Sequence, residues 1–427
     1  MIPMILPFIA AVALQGDPRM GSAYREDKAG WVCAHLAGAP KDIGYQYGVL
    51  LSDRIDDAQQ ALHELLKRTT GKDWNFYRDT TRKLFWDHVP AEYQQEIEGQ
   101  AEGLQAKGLN YDQWDVLAFN GYIETSLYYL PWLQHQPAKN ESCSAFIATG
   151  SETSDGKIVM GQNMWWELEM GERFNAILDI KPTNGHRILM DALCGFIHSG
   201  TDFAVNDAGM MVTETTLPTI TDFDPNGTPE FVRMRQATQY SESLPQFVQI
   251  MEAGNNGGYA NTWLVGDRRT NEIGRLELGL KNVTWETTKN GYFVGSNFPT
   301  NPKLVQEETS GWDVDPRRNG CEARRQRWHQ LLDKNKSLVD ANLAKGFLAD
   351  VVNPITGAVG ACDFTLCGRD PDFGATNAKV MTSDLAGSMS FWGKMGAPDG
   401  AEFVPTSPSI YMRTLEPQAW TLLSIGK

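Results

Sequence analysis

Nothing after the first 16 residues is apolar for long enough to cross a bilayer as a helix, which takes about 20 residues. No integral membrane span is therefore expected. Positive charge is in deficit: 38 Lys and Arg stand against 53 Asp and Glu, a net charge of −15. That balance argues against a nucleic-acid or anionic-membrane partner. The seven histidines show no HExxH spacing, and the six cysteines (Cys33, Cys143, Cys194, Cys321, Cys362 and Cys367) form no CxxC pair. Neither a metal nor a cofactor is implied. Six cysteines in 427 residues are too few for a disulfide framework. An even count would suit disulfides in an exported protein, and Cys362 and Cys367 are close enough in sequence to bridge. Buried free thiols account for the same count. Internal repeats and low-complexity tracts are also missing.

Residues 1–15, within MIPMILPFIAAVALQG, precede the first charge at Asp17. They read as the apolar part of a signal peptide, with AVA as a small-residue cleavage motif, although a basic start is absent. The expected location is secreted or periplasmic.

What the chain does have is apolar and aromatic mass. Apolar residues make up 41% of it, with 13 Trp and 18 Phe, enough for a sizeable core. From about 40 to 130 the pattern is helical. Pro40 suits a first helical position, and Ile43, Tyr47, Leu50, Leu51, Ile55, Ala58, Leu62 and Leu65 recur at helical spacing. Further helical stretches lie near AEYQQEIEGQAEGLQAKG and YDQWDVLAFNGYIETSLYYL, before Pro131 and the polar QHQPAKNES break the pattern. Beyond Cys143 the runs are short and strand-like, separated by Gly, Asn or Asp turns: SAFIATG, KIVMGQN, FNAILDI, HRILMDAL, GMMVTETTL, NTWLVGD, IGRLELGL and GYFVGSN. A helix at PEFVRMRQATQYSESLPQFVQIMEAG interrupts them, and a charged helix follows from about 322 to 350. The outline is a helical N-terminal segment over 16–142 and a mainly antiparallel α+β body over 143–427.

The junction carries the chemistry. SCSAFIATGSETSDGKIVMGQNMWW, from Ser142 to Trp166, is a hairpin around an Asp-Gly turn that begins on a cysteine. A nucleophilic cysteine needs a base and a partner for the oxyanion. At a strand start one solution supplies both nucleophile and base. If the bond between Ser142 and Cys143 is cut, the freed α-amine, titrating near ~7.7–8.0, accepts a proton close to neutral pH. The polar linker before Cys143 would give that bond exposure.

This hairpin resembles that of the N-terminal nucleophile hydrolases of the phospholipase B-like group. More distantly it is similar to penicillin acyltransferases and choloylglycine hydrolases. HLAGAPKDIGYQYGVLL, GMMVTETTL, NNGGYANTWLVGD and GATNAKVMTSDLAGSMSFWGKMG resemble further segments of the group, so the likeness runs from about 33 to 403. The resemblance implies a four-layer αββα sandwich in which Cys143 is the nucleophile and, once freed, the base. It implies that Asn261, in YANTW, helps form the oxyanion hole, and that Arg324, in EARRQRW, is an active-site arginine. Gln162, Asn163 and Trp165 would face the cleavage site, Gln162 as a catalytic residue, and Asn163, Trp165, Glu214 and Thr215 would line the substrate pocket. QNMW departs from the HNTW-like and RNxD-like patterns of these relatives, so Gln162 supplies no cation for the thiolate.

The expected function is an autoprocessed cysteine amidohydrolase or acyltransferase. It would act through a Cys143 thioester on a small acylated amide or lipid, with the N-terminal fragment retained after cleavage. Phospholipase B-like ester hydrolysis is the alternative, and a non-catalytic binding protein on the same fold is a second. Taken without the resemblance, Cys143 and Trp165 suit a core, Asn261 a strand edge, Arg324 a solvated helix face, and Asp202 and Asp207 the surface.

Overall fold

The hairpin that begins at Cys143 is the seed of one of two facing sheets. The computed structural model describes residues 16–138, 143–407 and 409–424. Its strands are, in chain order, β1 (Tyr24–Lys28), β2 (Trp31–Gly38), β3 (Cys143–Thr149), β4 (Val159–Glu167), β5 (Ala176–Pro182), β6 (Ile188–Ala192), β7 (Gly200–Asn206), β8 (Met210–Thr216), β9 (Asn261–Asp267), β10 (Glu272–Leu278), β11 (Val283–Thr288), β12 (Gly291–Gly295), β13 (Arg369–Asp370), β14 (Phe373–Thr382), β15 (Ser390–Met395) and β16 (Thr421–Ser424). Nine form a sheet in the order β1-β2-β5-β6-β7-β8-β9-β10-β11. The other seven form a sheet in the order β12-β3-β4-β14-β15-β16, with β13 beside β14.

Period-two alternation decides which side of each strand is covered. Ala145, Ile147 and Met160 from one sheet meet Ile177, Phe203, Val205, Met211 and Leu264 from the other in a shared apolar layer. The opposite face of the nine-stranded sheet, with Leu178, Met190, Val212, Trp263 and Val265, is covered by the N-terminal helices. The opposite face of the seven-stranded sheet, with Phe146, Ala148 and Val380, packs on Trp328, Leu332, Phe347 and Leu348 of helices Gly320–Lys334 and Ala341–Leu348. The result is the expected α+β arrangement of four layers, helix, sheet, sheet, helix.

Three boundaries differ from the sequence reading. The N-terminal segment is not purely helical: β1 and β2 form an edge of the nine-stranded sheet, and β2 runs parallel to β5, from Val32 opposite Ala176 to Gly38 opposite Pro182. The reason is that β1, YREDK, carries no apolar alternation. As an edge strand it needs backbone partners only on one side. The long first helix is two, Pro40–Leu50 and Ser52–Thr70. The single helices expected near 229–254 and 322–350 are likewise each a pair, Glu230–Tyr240 with Leu244–Glu252 and Gly320–Lys334 with Ala341–Leu348.

Helices Pro40–Leu50 and Ala91–Ala106 are pressed together through glycine. A Cβ at Gly44 would lie 1.9 Å from the Glu96 carbonyl oxygen, and one at Gly99 would lie 2.1 Å from that of Lys41. Two backbones approach this closely only where no side chain stands between them. The seam matters for the rest, because Glu96 from this pair meets Arg235 of the body in a buried bidentate ion pair with contacts of 3.0 and 2.9 Å. Gly99→Ala should therefore lower stability by about 1–3 kcal/mol, the usual size of overpacking, despite alanine's better helix propensity. Urea unfolding of the variant checks this, and an unchanged midpoint would contradict the packing argument.

Candidate active site

Register across the nucleophile hairpin sorts the expected site residues onto two faces. Cys143 is opposite Met164, Ser144 opposite Asn163 and Ala145 opposite Gln162. Directly opposed residues share a face. Ala145 belongs to the layer between the sheets, so Cys143 and Gln162 point inward, while Ser144, Asn163 and Trp165 point to the outer helices. Cys143 is buried at the first position of β3.

Both ends of the Cys143 backbone are held by side chains distant in sequence. Its N–H donates to Asn297 Oδ1 at 2.6 Å. Its carbonyl oxygen accepts from Arg324 Nη1. Arg324 also donates to Ser144 Oγ at 3.3 Å and to Asn297 Oδ1 at 3.3 Å, and its guanidinium lies 4.7 Å from the centre of the Trp165 ring. It is buried, 1% exposed, rather than solvated as its charged helix implied. Asn297 follows β12 with φ of 61°, a left-handed conformation that asparagine tolerates better than most residues. Its Nδ2 donates to the Thr216 carbonyl at 2.8 Å, so one side chain ties Cys143 of one sheet to β8 of the other.

Thr216 leads to Asn261, its partner across β8 and β9. The Asn261 side chain is fully buried, and both Nδ2 and Oδ1 lack a hydrogen-bond partner. Alternation places it with Trp263 and Val265, on the face shared with Thr216 and Glu214. Thr215 faces the other way, into the gap between the sheets, where a Cβ at Gly295 would meet its hydroxyl at 2.4 Å. Glu214 and Thr215 thus border different layers, not one pocket wall.

The QNMW stretch also divides. Gln162 Nε2 donates to the Thr201 carbonyl at 2.8 Å and the Glu214 carbonyl at 3.1 Å, which pins β4 to β7 and β8. Asn163 Nδ2 donates outward to the carbonyls of Leu348 and Leu366 at 2.7 and 2.9 Å. Trp165 is the platform for Arg324. Opposite Gln162 on β14 stands Lys379, whose Nζ meets Asp191 Oδ2 of β6 at 2.8 Å with both side chains fully buried. Asp202, expected at the surface, is buried with φ of 51°, whereas Asp207 is exposed. The sequence reading passed over Asn297, Lys379 and Asp191. The one local signal is SNFP after a strand, a turn-forming Asn before a Pro.

A cleft of about 480 Å³ opens beside this centre. Its wall includes Pro218 and Thr219, just past Thr216, and Trp312, Cys321, Arg324, Asp363, Asp370 and Phe373. Cys321 Sγ lies 3.3 Å from Arg324 Nη2. Burial pushes the Cys321 thiol above its usual range, which keeps it protonated and poorly nucleophilic. Cys362 and Cys367 are not joined by a disulfide, nor is any of the other four cysteines. Among the described residues no group of three or more His, Cys, Asp or Glu is placed to hold a metal, and no helix is long and apolar enough to cross a membrane. Ser142, on the far side of the expected cleavage, and the signal-like residues 1–15 lie outside the described residues.

With this geometry in view, the sequence matches the phospholipase B family over residues 70–399. The chain belongs to the phospholipase B family. A protein of Archaeoglobus fulgidus, described as uncharacterized, is 26% identical over 293 residues, covering 63% of this chain and 48% of that one. The match thus spans about half the length of that relative. Among solved structures, a mutant conjugated bile acid hydrolase from Clostridium perfringens aligns over 59% of this chain and 89% of its own at 10% identity, with a TM-score of 0.36. A second variant of that hydrolase aligns over 61% of this chain and 83% of its own at 9% identity, with a TM-score of 0.29. Similarity of that extent bears on neither substrate nor chemistry.

Arg324→Leu would leave the buried Cys143 carbonyl without its side-chain donor, at a cost of about 1–3 kcal/mol. Arg324→Lys should not restore it, because a single ammonium does not reproduce the planar fork that reaches Cys143 and Asn297 while stacking on Trp165. Urea unfolding of both variants checks this, and wild-type stability in either would contradict it.

Proposed function

We propose that this chain is a self-processing cysteine hydrolase of acyl amides, in which Cys143 is the nucleophile and its freed α-amine the base. The observation that carries the reading is the two-ended grip on the Cys143 backbone, with nitrogen on Asn297 and carbonyl on Arg324. Every buried amide needs an acceptor, but this one is met by a side chain from beyond β12 and not by the carbonyl of a neighbouring strand. Such an acceptor suits a residue whose nitrogen must later hold and pass a proton.

In the precursor the Cys143 thiol attacks the Ser142 carbonyl carbon. The C–N bond breaks as the nitrogen takes the thiol's proton, leaving a thioester that water hydrolyses to a Ser142 carboxylate and a free Cys143. Asn297 Oδ1 then faces an amine instead of an amide and orients its protons. In turnover the amine takes the thiol proton and sulfur attacks the substrate's acyl carbon. The oxyanion is assigned in this reading to Asn261 Nδ2, a buried donor with no hydrogen-bond partner, which requires that side chain to turn from the helix-covered face of β9 toward Cys143. The ammonium gives its proton to the departing amine. Water, deprotonated by the same amine, resolves the acyl thioester, and an acceptor amine in place of water would complete an acyl transfer.

The N-terminal fragment stays bound in this reading. Its strand β2 is paired along its length with β5, and Glu96 pairs with Arg235 where no water competes. Export through the apolar start belongs to the same proposal.

Mass spectrometry should find wild-type chains cut before Cys143 and the Cys143→Ala variant uncut and inactive. A variant still cut at that bond, or an uncut wild type that is fully active, would refute the mechanism. Asn261→Ala should keep the fold and slow turnover by on the order of 10²–10³, the effect of losing one oxyanion donor. An unchanged rate would remove Asn261 from the site. Membership of the phospholipase B family favours a second reading, ester cleavage. Rates on an amide and an ester of the same acyl chain decide between the two.

A further inference from the structure

The cleft beside Arg324 has a charge pattern that the proposed chemistry does not require. Two arginines border it, and both are engaged. Arg318 is paired with Asp313 at 2.8 Å and Asp315 at 2.7 Å. Arg324 is turned inward to the Cys143 carbonyl and Asn297. Besides Asp313, which is paired with Arg318, two carboxylates border it, Asp363 and Asp370, and both are exposed. Among the described residues no Lys, Arg or His forms an ion pair with either. Partial burial of its carboxyl and the charge of Asp370 raise Asp363 above its usual range, opposed by the Arg324 guanidinium. Like charges held near one another cost free energy that a cation between them would recover.

The rest of the lining suits the same guest. Trp312 is fixed by its Nε1, which donates to Glu322 Oε1 at 3.1 Å, and Phe373 sits edge-on to Trp165 with centroids 6.5 Å apart. Both rings border the cleft, where an aromatic face attracts a cation. At the inner wall, Arg324 Nε is buried and has no partner. It is a donor left over from the guanidinium's other contacts, available to an acceptor such as an amide carbonyl. The lining of the cleft therefore combines one unpartnered buried donor, two carboxylates outside any ion pair and two aromatic residues.

Resting on the hydrolase reading above, we infer that the substrate is an acyl amide whose amine portion carries a second, cationic amino group, received between Asp363 and Asp370 beside Trp312 and Phe373. The guest is specified by the charge on its amine portion, not by the length of its acyl chain.

The test compares three compounds with one acyl chain: N-octanoyl-1,4-diaminobutane, the corresponding amino alcohol, in which hydroxyl replaces ammonium, and the corresponding amino acid, in which carboxylate does. The wild-type protein should prefer the ammonium compound to the hydroxyl compound by at least about tenfold in kcat/KM, the sum of two partly screened charge contacts and a cation–π contact. The carboxylate compound should be the poorest. In Asp363→Asn/Asp370→Asn the ammonium-to-hydroxyl ratio should fall toward one, and a ratio is insensitive to the amount of folded enzyme. Asp370→Asn alone, at an exposed position, should move it in the same direction by less. Equal rates in the wild type, or a preference that survives the double substitution, would overturn the inference while leaving the hydrolase reading intact. If none of the three is hydrolysed, the hydrolase reading is decided by cleavage before Cys143, and calorimetric titration of the ammonium compound decides the cleft by itself. Binding that weakens about tenfold in the double variant supports it, and absent or unchanged binding overturns it.

Discussion

Two apolar sheet faces attract without direction, and hydrophobic burial alone would let one slide over the other. What fixes their registration here is a row of polar ties across the gap. Asn297 joins the start of β3 to the end of β8, Gln162 joins β4 to the backbones of β7 and β8, and Lys379 joins β14 to Asp191 on β6. Each tie is buried, so a shift of even one residue would strand a charge or an amide away from water, at several times the energy of an ordinary contact. The ends of β3 and β9 are thereby held at one edge of the sandwich, where Cys143 and Asn261 stand.

The same ties explain why the site is assembled from backbone as much as from side chains. Cys143 is gripped through its nitrogen and carbonyl, and the Asn297 that accepts from the nitrogen is itself set by its bond to Thr216. Arg324 couples this centre to the cleft, since one guanidinium touches Cys143, Asn297, Ser144 and the Trp165 ring. A chain end created at Cys143 would leave these contacts in place, because Asn297 approaches the nitrogen from the body and not from the preceding segment. The N-terminal segment, for its part, is built into the body by β2, by the glycine seam and by the Glu96–Arg235 pair.

Much of this was legible in the sequence because it is written locally. Apolar alternation in SAFIATG, KIVMGQN and NTWLVGD gave the strands, the Asp-Gly turn gave the hairpin, and the position of Cys143 at its start followed. The helical stretch from Pro40 was legible for the same reason, although its break at Leu51 was not, since the apolar spacing runs on through Ser52 and Asp53 to Ile55. Gln162 was legible as a departure from a pattern, but its task was not. It is a tie between sheets, and a tie is defined by carbonyls on two other strands.

The sequence by itself determined a helical segment followed by a mainly antiparallel body, the junction near Cys143 and the surplus of acid over base, because period, turn chemistry and composition need no partner to be read; the four layers came only through the resemblance to a family. Only the tertiary structure decided that Asn297 holds Cys143 from 154 residues away and Arg324 from 181. It also decided that YREDK is a strand, that Gly44 and Gly99 are spaces for a neighbouring backbone, and that Asp202 is inside. These depend on atoms brought together by folding. A residue that acts by filling a gap or meeting a distant carbonyl leaves no periodic trace in its own neighbourhood.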